Sequence, residues 1–174
     1  MQSRLLIPRN VIQDEIGKTI KYVNGILKVE MNPIFICVLD GALFFFIDLL
    51  KYLPPTIEID TVKISSYGDE FHSSNNIRLI KDVTKNLENR QVFIVEDIVA
   101  TGNTMHYLIN HLHEKYKPYE VNIITLLDVP CQRKININPT ISVFTINRDV
   151  FVYGYGLDLK GKYRNLPDIY EVIL

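Results

Sequence analysis

Apolar and polar positions alternate along this chain with two different periods, and the periods trade places several times. Over residues 10–28 the apolar side chains Ile12, Ile16, Ile20 and Val23 recur every three to four positions, which predicts an amphipathic helix. Residues 34–39, Ile-Phe-Ile-Cys-Val-Leu, form an unbroken apolar run ahead of Gly41 and predict a buried strand. Residues 42–53 predict a second helix, stopped by Pro54-Pro55. In residues 57–64, Ile57, Ile59 and Thr61 alternate with Glu58 and Asp60, as in a strand with one wet face. Residues 65–76 are polar and hold Gly68, so they predict a long loop, with 77–83 as its returning strand. Residues 92–96 predict another buried strand, and 104–116 a helix built on Leu108, Ile109, Leu112 and Tyr116. Residues 121–127, 141–146 and 151–155 predict further strands.

Strands alternating with helices imply βαβ units and an α/β fold, with a mostly parallel sheet flanked by helices. Ligands of such sheets sit at the carboxyl ends of the strands. The end of 92–96 is therefore the first place to look for chemistry.

Composition narrows the classes. A chain of 174 residues predicts one domain, residues 1–174, long enough to bury a core. Hydrophobic residues at 47% and charged residues at 22% argue against disorder. Nineteen basic and twenty acidic side chains leave a net charge of −1, which argues against a nucleic-acid partner. The two cysteines, Cys37 and Cys131, make neither a disulfide framework nor a zinc motif, and Cys37 reads as a small core residue. The first ten residues lack a signal-peptide pattern, and no apolar stretch reaches 18 residues. A cytoplasmic protein without a membrane partner is the expectation.

The segment from Val92 to Thr104 carries the strongest signal. An apolar strand runs into two adjacent carboxylates, Glu96 and Asp97. A short turn, Thr101-Gly102-Asn103-Thr104, then leads into a helix. Backbone N–H groups at a helix N-terminus, with hydroxyls beside them, suit a phosphate monoester. The carboxylates accept hydrogen bonds from vicinal hydroxyls or hold Mg²⁺. Phosphate and diol together describe a ribose 5-phosphate. His106 lies just beyond, where helical geometry carries it away from Ala100 as a solvated histidine.

Residues 92–104 resemble the phosphoribosyl-pyrophosphate motif of type I phosphoribosyltransferases. From about residue 5 to the end, the chain resembles the hypoxanthine-guanine (6-oxopurine) phosphoribosyltransferases. The likeness is carried by Val38-Leu39-Asp40-Gly41-Ala42, Ser65-Ser66-Tyr67-Gly68, Ile80-Lys81-Asp82, Thr125-Leu126-Leu127-Asp128, Phe151-Val152-Tyr153-Gly154-Tyr155-Gly156-Leu157-Asp158 and Lys162-Tyr163-Arg164-Asn165-Leu166-Pro167. The resemblance implies a type I phosphoribosyltransferase fold with a small hood built from terminal segments. It implies Mg²⁺-dependent, purine-salvage transfer of a 5-phosphoribosyl group from phosphoribosyl pyrophosphate to a 6-oxopurine, by a homodimer or homotetramer.

The implied roles follow residue by residue. Glu96 and Asp97 hold the ribose hydroxyls, and Thr101, Gly102, Asn103 and Thr104 cradle the 5-phosphate. The turn at Leu39-Asp40-Gly41 offers backbone amides to pyrophosphate, often through a non-proline cis peptide, and Arg164 contacts it too. Phe151 stacks on the base, Val152 reads it through the main chain, and Asp158 holds Mg²⁺. Ser65, Ser66, Tyr67 and Gly68 belong to a lid that excludes water.

Three positions depart from the resemblance. Ala100 stands where the family usually has Asp, placed to share a proton of the base. Val129 stands where it usually has Lys, a donor to the 6-oxo group. Asp40 stands where it commonly has Lys. If the Asp40 side chain faces pyrophosphate, like charges repel; if only its backbone does, the change is tolerable. Ala100 and Val129 touch the same object, so the expectation is retained phosphoribosyl binding with altered handling of the base. A relative that only binds and senses nucleotide or phosphoribosyl pyrophosphate is the alternative.

Overall fold

The computed structural model describes residues 2–67 and 76–173. In chain order the elements are β1 (Gln2–Ile7), α1 (Arg9–Ile26), β2 (Ile34–Leu39), α2 (Leu43–Leu50), β3 (Glu58–Tyr67), β4 (Asn76–Lys81), β5 (Gln91–Val99), α3 (Asn103–Tyr116), β6 (Glu120–Asp128), β7 (Ile141–Thr145), β8 (Val152–Tyr153) and β9 (Ile169–Ile173). Single 3₁₀ turns at Val29–Met31 and Pro130–Gln132 complete the set.

Six strands form one sheet in the order β4-β3-β2-β5-β6-β7. All neighbours are parallel except β3 and β4, which run antiparallel. The central strands are apolar on both faces because both faces are covered. Their alternation sorts the side chains cleanly. Phe35, Cys37, Phe93 and Val95 enter the core shared with α1 and α2, while Ile34, Ile36, Val38, Val92 and Ile94 enter the core under α3. Phe35 and Phe93 are register partners, and their rings stack at 4.5 Å. Helix α1 buries Ile12, Ile16, Ile20 and Val23, the stripe expected from spacing, and α3 buries Met105, Leu108 and Leu112.

Several boundaries differ from the sequence expectation. Helix α2 ends at Leu50, because Lys51–Leu53 tighten into i→i+3 turns ahead of the two prolines. Strand β5 does not stop before the carboxylates. It runs on to Val99, since β6 extends far enough to pair Ile98 with Leu127 and Val99 with Asp128. The proposed lid residues Ser65, Ser66 and Tyr67 belong to strand β3, paired with Arg78, Ile77 and Asn76, rather than to a loop. Gly68 lies outside the described residues.

The expected hood is a second, three-stranded antiparallel sheet in the order β1-β9-β8. It joins the two ends of the chain. Glu171 on β9 is buried, with side-chain exposure of 4%, and is paired with Arg4 and Arg148. The Arg148 hydrogen bond, aided by Arg4, holds its carboxyl below the ordinary value of 4.5. A depressed carboxylate contributes stability above its unfolded pKa and loses it as pH falls through the folded one. Glu171→Gln is expected to cost about 1–2 kcal/mol at neutral pH, since both arginines are half-exposed and rehydrate. Chemical denaturation across pH checks this: the gap between wild type and variant should narrow as pH falls below 4.5 and close only below the depressed folded-state value.

Candidate active site

The site is built around the last residues of β5. Glu96 lies inside the ladder, opposite Thr125, and is buried. The Asp97 N–H donates to Glu96 Oε1 at 3.1 Å, and the Ile98 N–H donates to Asp97 Oδ1 at 2.9 Å. Burial first, and the Asp97 charge next, push the Glu96 carboxyl well above the ordinary range. Two such carboxylates side by side do not both ionise readily. The pair therefore holds one negative charge more readily than two, with Asp97 the half-exposed member. Cys37, next to this pair on β2, has its thiol pushed up to about 12 by burial and then by Glu96, Asp97 and Asp40. It is a core residue and not a nucleophile.

Beyond β5, the chain turns through Ala100–Gly102 into α3. Gly102 sits at a left-handed φ of 85° immediately before the helix. Gly102 at the N-cap has no side chain to offer this helix end, and the first turn contains no acidic residue. The Asn103 N–H is met by Thr101 Oγ1 at 3.3 Å. The turn is clamped from behind, where the Lys134 and Ile135 N–H groups donate to the Thr101 carbonyl at 3.0 and 3.1 Å. Thr101, Gly102, Asn103 and Thr104 thus form a fixed backbone concavity at a helix N-terminus, suited to an anion. His106 is exposed and pairs with Asn110 one turn along, away from Ala100.

A second turn faces the carboxylates. The Leu39–Asp40 peptide is cis. A Cβ placed on Gly41 would lie 1.7 Å from Asp97 Oδ2, so Gly41 lets the backbone rest directly against that carboxylate. Gly156, at φ 100°, packs its own backbone against the Gly41 carbonyl; a Cβ there would come within 2.1 Å. Arg164 Nη1 donates to the Gly156 carbonyl at 2.6 Å, and Nη2 pairs with Asp158 Oδ1 at 2.6 Å. Gly161 N–H donates to Asp158 Oδ2 at 2.8 Å. The Asp40 carboxylate is bound by Lys63 Nζ, at 3.0 Å and 2.7 Å to its two oxygens. Asp40 is thus ion-paired with Lys63 beside this turn.

The third wall lies past β6. Val129 is fully buried, and its N–H donates to the Val99 carbonyl at 3.0 Å. Its side chain offers no surface to a ligand, contrary to a direct base contact. Gln132 reaches Asp149 and the Val150 carbonyl, which sets the following Phe151 beside this segment. Phe151 is 36% exposed, so part of its side chain is left free of packing. Val152 is buried and paired with Glu171, leaving only its main chain for recognition.

Among the described residues no three His, Cys, Asp or Glu side chains converge as a metal cluster. Asp158, Glu96 and Asp97 therefore do not form one metal site together, and buried Glu96 is the least suited of them. Asp97 and Asp158 remain as oxygen donors at the Gly41 and Gly156 turns, which fits a magnesium ion held mainly by substrate phosphates.

Two positions escaped sequence reasoning. Lys63 looked like part of an ordinary strand. Arg133 lies beneath the 99–102 turn, bonded to Asp128 and the Val99 carbonyl, with its Nε buried and unpartnered. Its signal was an arginine five residues after Asp128, which carries meaning only once the turn is seen above it.

A mostly parallel sheet, with a strand–turn–helix passing through Glu96 to Thr104 at its centre and a second small sheet joining the chain ends, defines the type I phosphoribosyltransferase fold. A family model for the phosphoribosyl transferase domain matches residues 8–160. The chain is 40% identical over 162 residues to the hypoxanthine-guanine phosphoribosyltransferase of Bacillus subtilis, covering 91% of this chain and 89% of that one. It is 39% identical to the hypoxanthine-guanine-xanthine phosphoribosyltransferase of Tritrichomonas foetus, covering 90% and 86%. A crystal structure of a hypoxanthine-guanine phosphoribosyltransferase from Bacillus anthracis superposes with a TM-score of 0.89 at 33% identity, covering 98% of both chains. The chain belongs to the hypoxanthine-guanine phosphoribosyltransferase family.

Proposed function

We propose that this chain transfers the 5-phosphoribosyl group of phosphoribosyl pyrophosphate to a 6-oxopurine, hypoxanthine or guanine, giving the nucleoside monophosphate and pyrophosphate. The single observation that carries this reading is the stacking at Gly41. There an amide-bearing turn rests against Asp97, and Asp97 leads through one short turn to a helix N-terminus whose N-cap, Gly102, has no side chain. Sites for a diphosphate, a ribose diol and a 5-phosphate are thereby contiguous, in the order in which the donor substrate carries them.

Each residue then has a task. Thr101–Thr104 hold the 5-phosphate. Asp97, with Glu96 behind it, accepts the ribose hydroxyls. The Leu39–Gly41 turn and Arg164 hold the departing diphosphate. Asp97 and Asp158 would offer oxygen donors to a bound Mg²⁺, which would neutralise charge on that diphosphate. Phe151 stacks on the base. The reading treats residues 1–174 as one catalytic domain that works as a homodimer or homotetramer in the cytoplasm, on the strength of the family likeness.

The base-facing end lacks a proton acceptor, because Ala100 carries only a methyl group. A general base contributes about 10²–10⁴ in rate. Ala100→Asp is expected to raise kcat for hypoxanthine about tenfold, less than the full value because its surroundings are not tuned to it. The KM for phosphoribosyl pyrophosphate should stay unchanged. Steady-state kinetics with each substrate varied separately checks both expectations.

The function itself is tested by incubating the protein with phosphoribosyl pyrophosphate, Mg²⁺ and, in turn, hypoxanthine, guanine, xanthine and adenine. Chromatography should show nucleotide from hypoxanthine or guanine. Tight binding of phosphoribosyl pyrophosphate without turnover of any base would instead make the chain a binding-only relative.

A further inference from the structure

We propose that Lys63, held by Asp40, is a further pyrophosphate-binding residue of this site, with Asp40 as its positioning residue. The inference rests on the phosphoribosyl-transfer reading above. It starts from strand register. Leu39 and Lys63 are partners at the last position of the parallel β2/β3 ladder. The Lys63 stem therefore rises beside the cis turn that follows Leu39, at the same carboxyl edge of the sheet as Asp97.

The ammonium is caught by both oxygens of Asp40. Both side chains are half-exposed, so the pair stands at the surface beside the Leu39–Gly41 turn and not in the core. An exposed pair of this kind adds little to stability. Its position matters more. The turn it flanks touches Asp97 through Gly41 and touches Gly156 through the Gly41 carbonyl, and the Gly156 carbonyl holds Arg164. Lys63 and Arg164 thus stand at opposite ends of one chain of contacts, with the turn between them.

A diphosphate on that turn would meet Asp40, Asp97 and Asp158. Without Lys63, Asp40 would face it as an uncompensated like charge. With Lys63, the Asp40 charge is neutralised, and an ammonium carrying three donors is set where one can turn to a phosphate oxygen. Lys81, directly opposite Lys63 in the antiparallel β3/β4 ladder, does not compete for Asp40. Its ammonium goes to the Thr61 carbonyl at 2.5 Å and to Asp60 at 3.5 Å.

The test uses the full chain with Lys63→Met, Asp40→Asn and both together. Calorimetry measures pyrophosphate binding in the presence of Mg²⁺, and kinetics give separate KM values for phosphoribosyl pyrophosphate and base. Lys63→Met should weaken pyrophosphate binding about tenfold and raise the KM for phosphoribosyl pyrophosphate alike. The KM for the base and the thermal midpoint should stay near wild type. Asp40→Asn removes the contact that positions Lys63 and a like charge together, so its net effect should be smaller than that of Lys63→Met, and the double variant should remain weaker than wild type. Full recovery in the double variant would mean that Lys63 only silences Asp40, and would overturn the proposal. So would unchanged pyrophosphate binding in Lys63→Met. Failure of the wild type itself to bind pyrophosphate or phosphoribosyl pyrophosphate would overturn the underlying reading, and this inference with it.

Discussion

Gly41→Ala is expected to lower kcat/KM for phosphoribosyl pyrophosphate by at least about 100-fold while leaving the protein folded. The added methyl group would overlap Asp97 Oδ2 at 1.7 Å and Asp97 Cγ at 2.6 Å. The obstacle is a side chain, so it can swing aside. To do so it must give up the hydrogen bond from the Ile98 N–H, and its carboxylate leaves the place where a ribose diol would be met. A misplacement of about 1 Å in a positioning group is enough for a loss of this size. The measurement is steady-state kinetics beside a thermal melt. A large kinetic loss with a nearly unchanged midpoint is the expected pattern.

Gly156→Ala should behave differently, because its obstacle is backbone. The new Cβ would sit 2.1 Å from the Gly41 carbonyl oxygen, on a residue at φ 100°. Neither partner can rotate away. Overpacking and left-handed strain each cost about 1–3 kcal/mol, so a loss near 3 kcal/mol is expected. In a domain of this size that lowers Tm by about 6–12 °C, and activity should fall with it. Gly161→Ala separates the two causes. Gly161 has φ 75° but open space around its Cβ position, so only strain remains and the drop should be about half that at Gly156.

The periodicity of each segment exposed most of the helices and central strands, because burial on one stripe or on both faces leaves a mark in the segment's own residues. Ile34–Leu39 and Asn103–Tyr116 are read this way almost to the residue. Strand β1 left no such mark. Four of its six residues are exposed, and it is ordered by pairing with β9 at the far end of the chain. The extension of β5 past Glu96 was hidden for a related reason. A buried carboxylate looks like a strand end until the neighbouring strand is known to continue.

The site divides in the same manner. Glu96, Asp97 and Thr101–Thr104 form one continuous segment, so spacing alone brought them together. The partnership of Asp40 with Lys63 depends on register between β2 and β3, and that of Arg164 with Gly156 on how the hood folds back. Val129 shows the opposite error. A sequence position matched to a base contact proves fully buried, its N–H bonded back to the Val99 carbonyl.

The central claim is transfer of a phosphoribosyl group to a 6-oxopurine. The most direct test mixes the purified protein with phosphoribosyl pyrophosphate, Mg²⁺ and hypoxanthine, and quantifies nucleotide and pyrophosphate in the same samples over time. The account predicts that the two products appear together in equal amounts, and that neither forms when hypoxanthine is left out. Pyrophosphate released without nucleotide, or no nucleotide from either hypoxanthine or guanine at saturating concentrations, would contradict it.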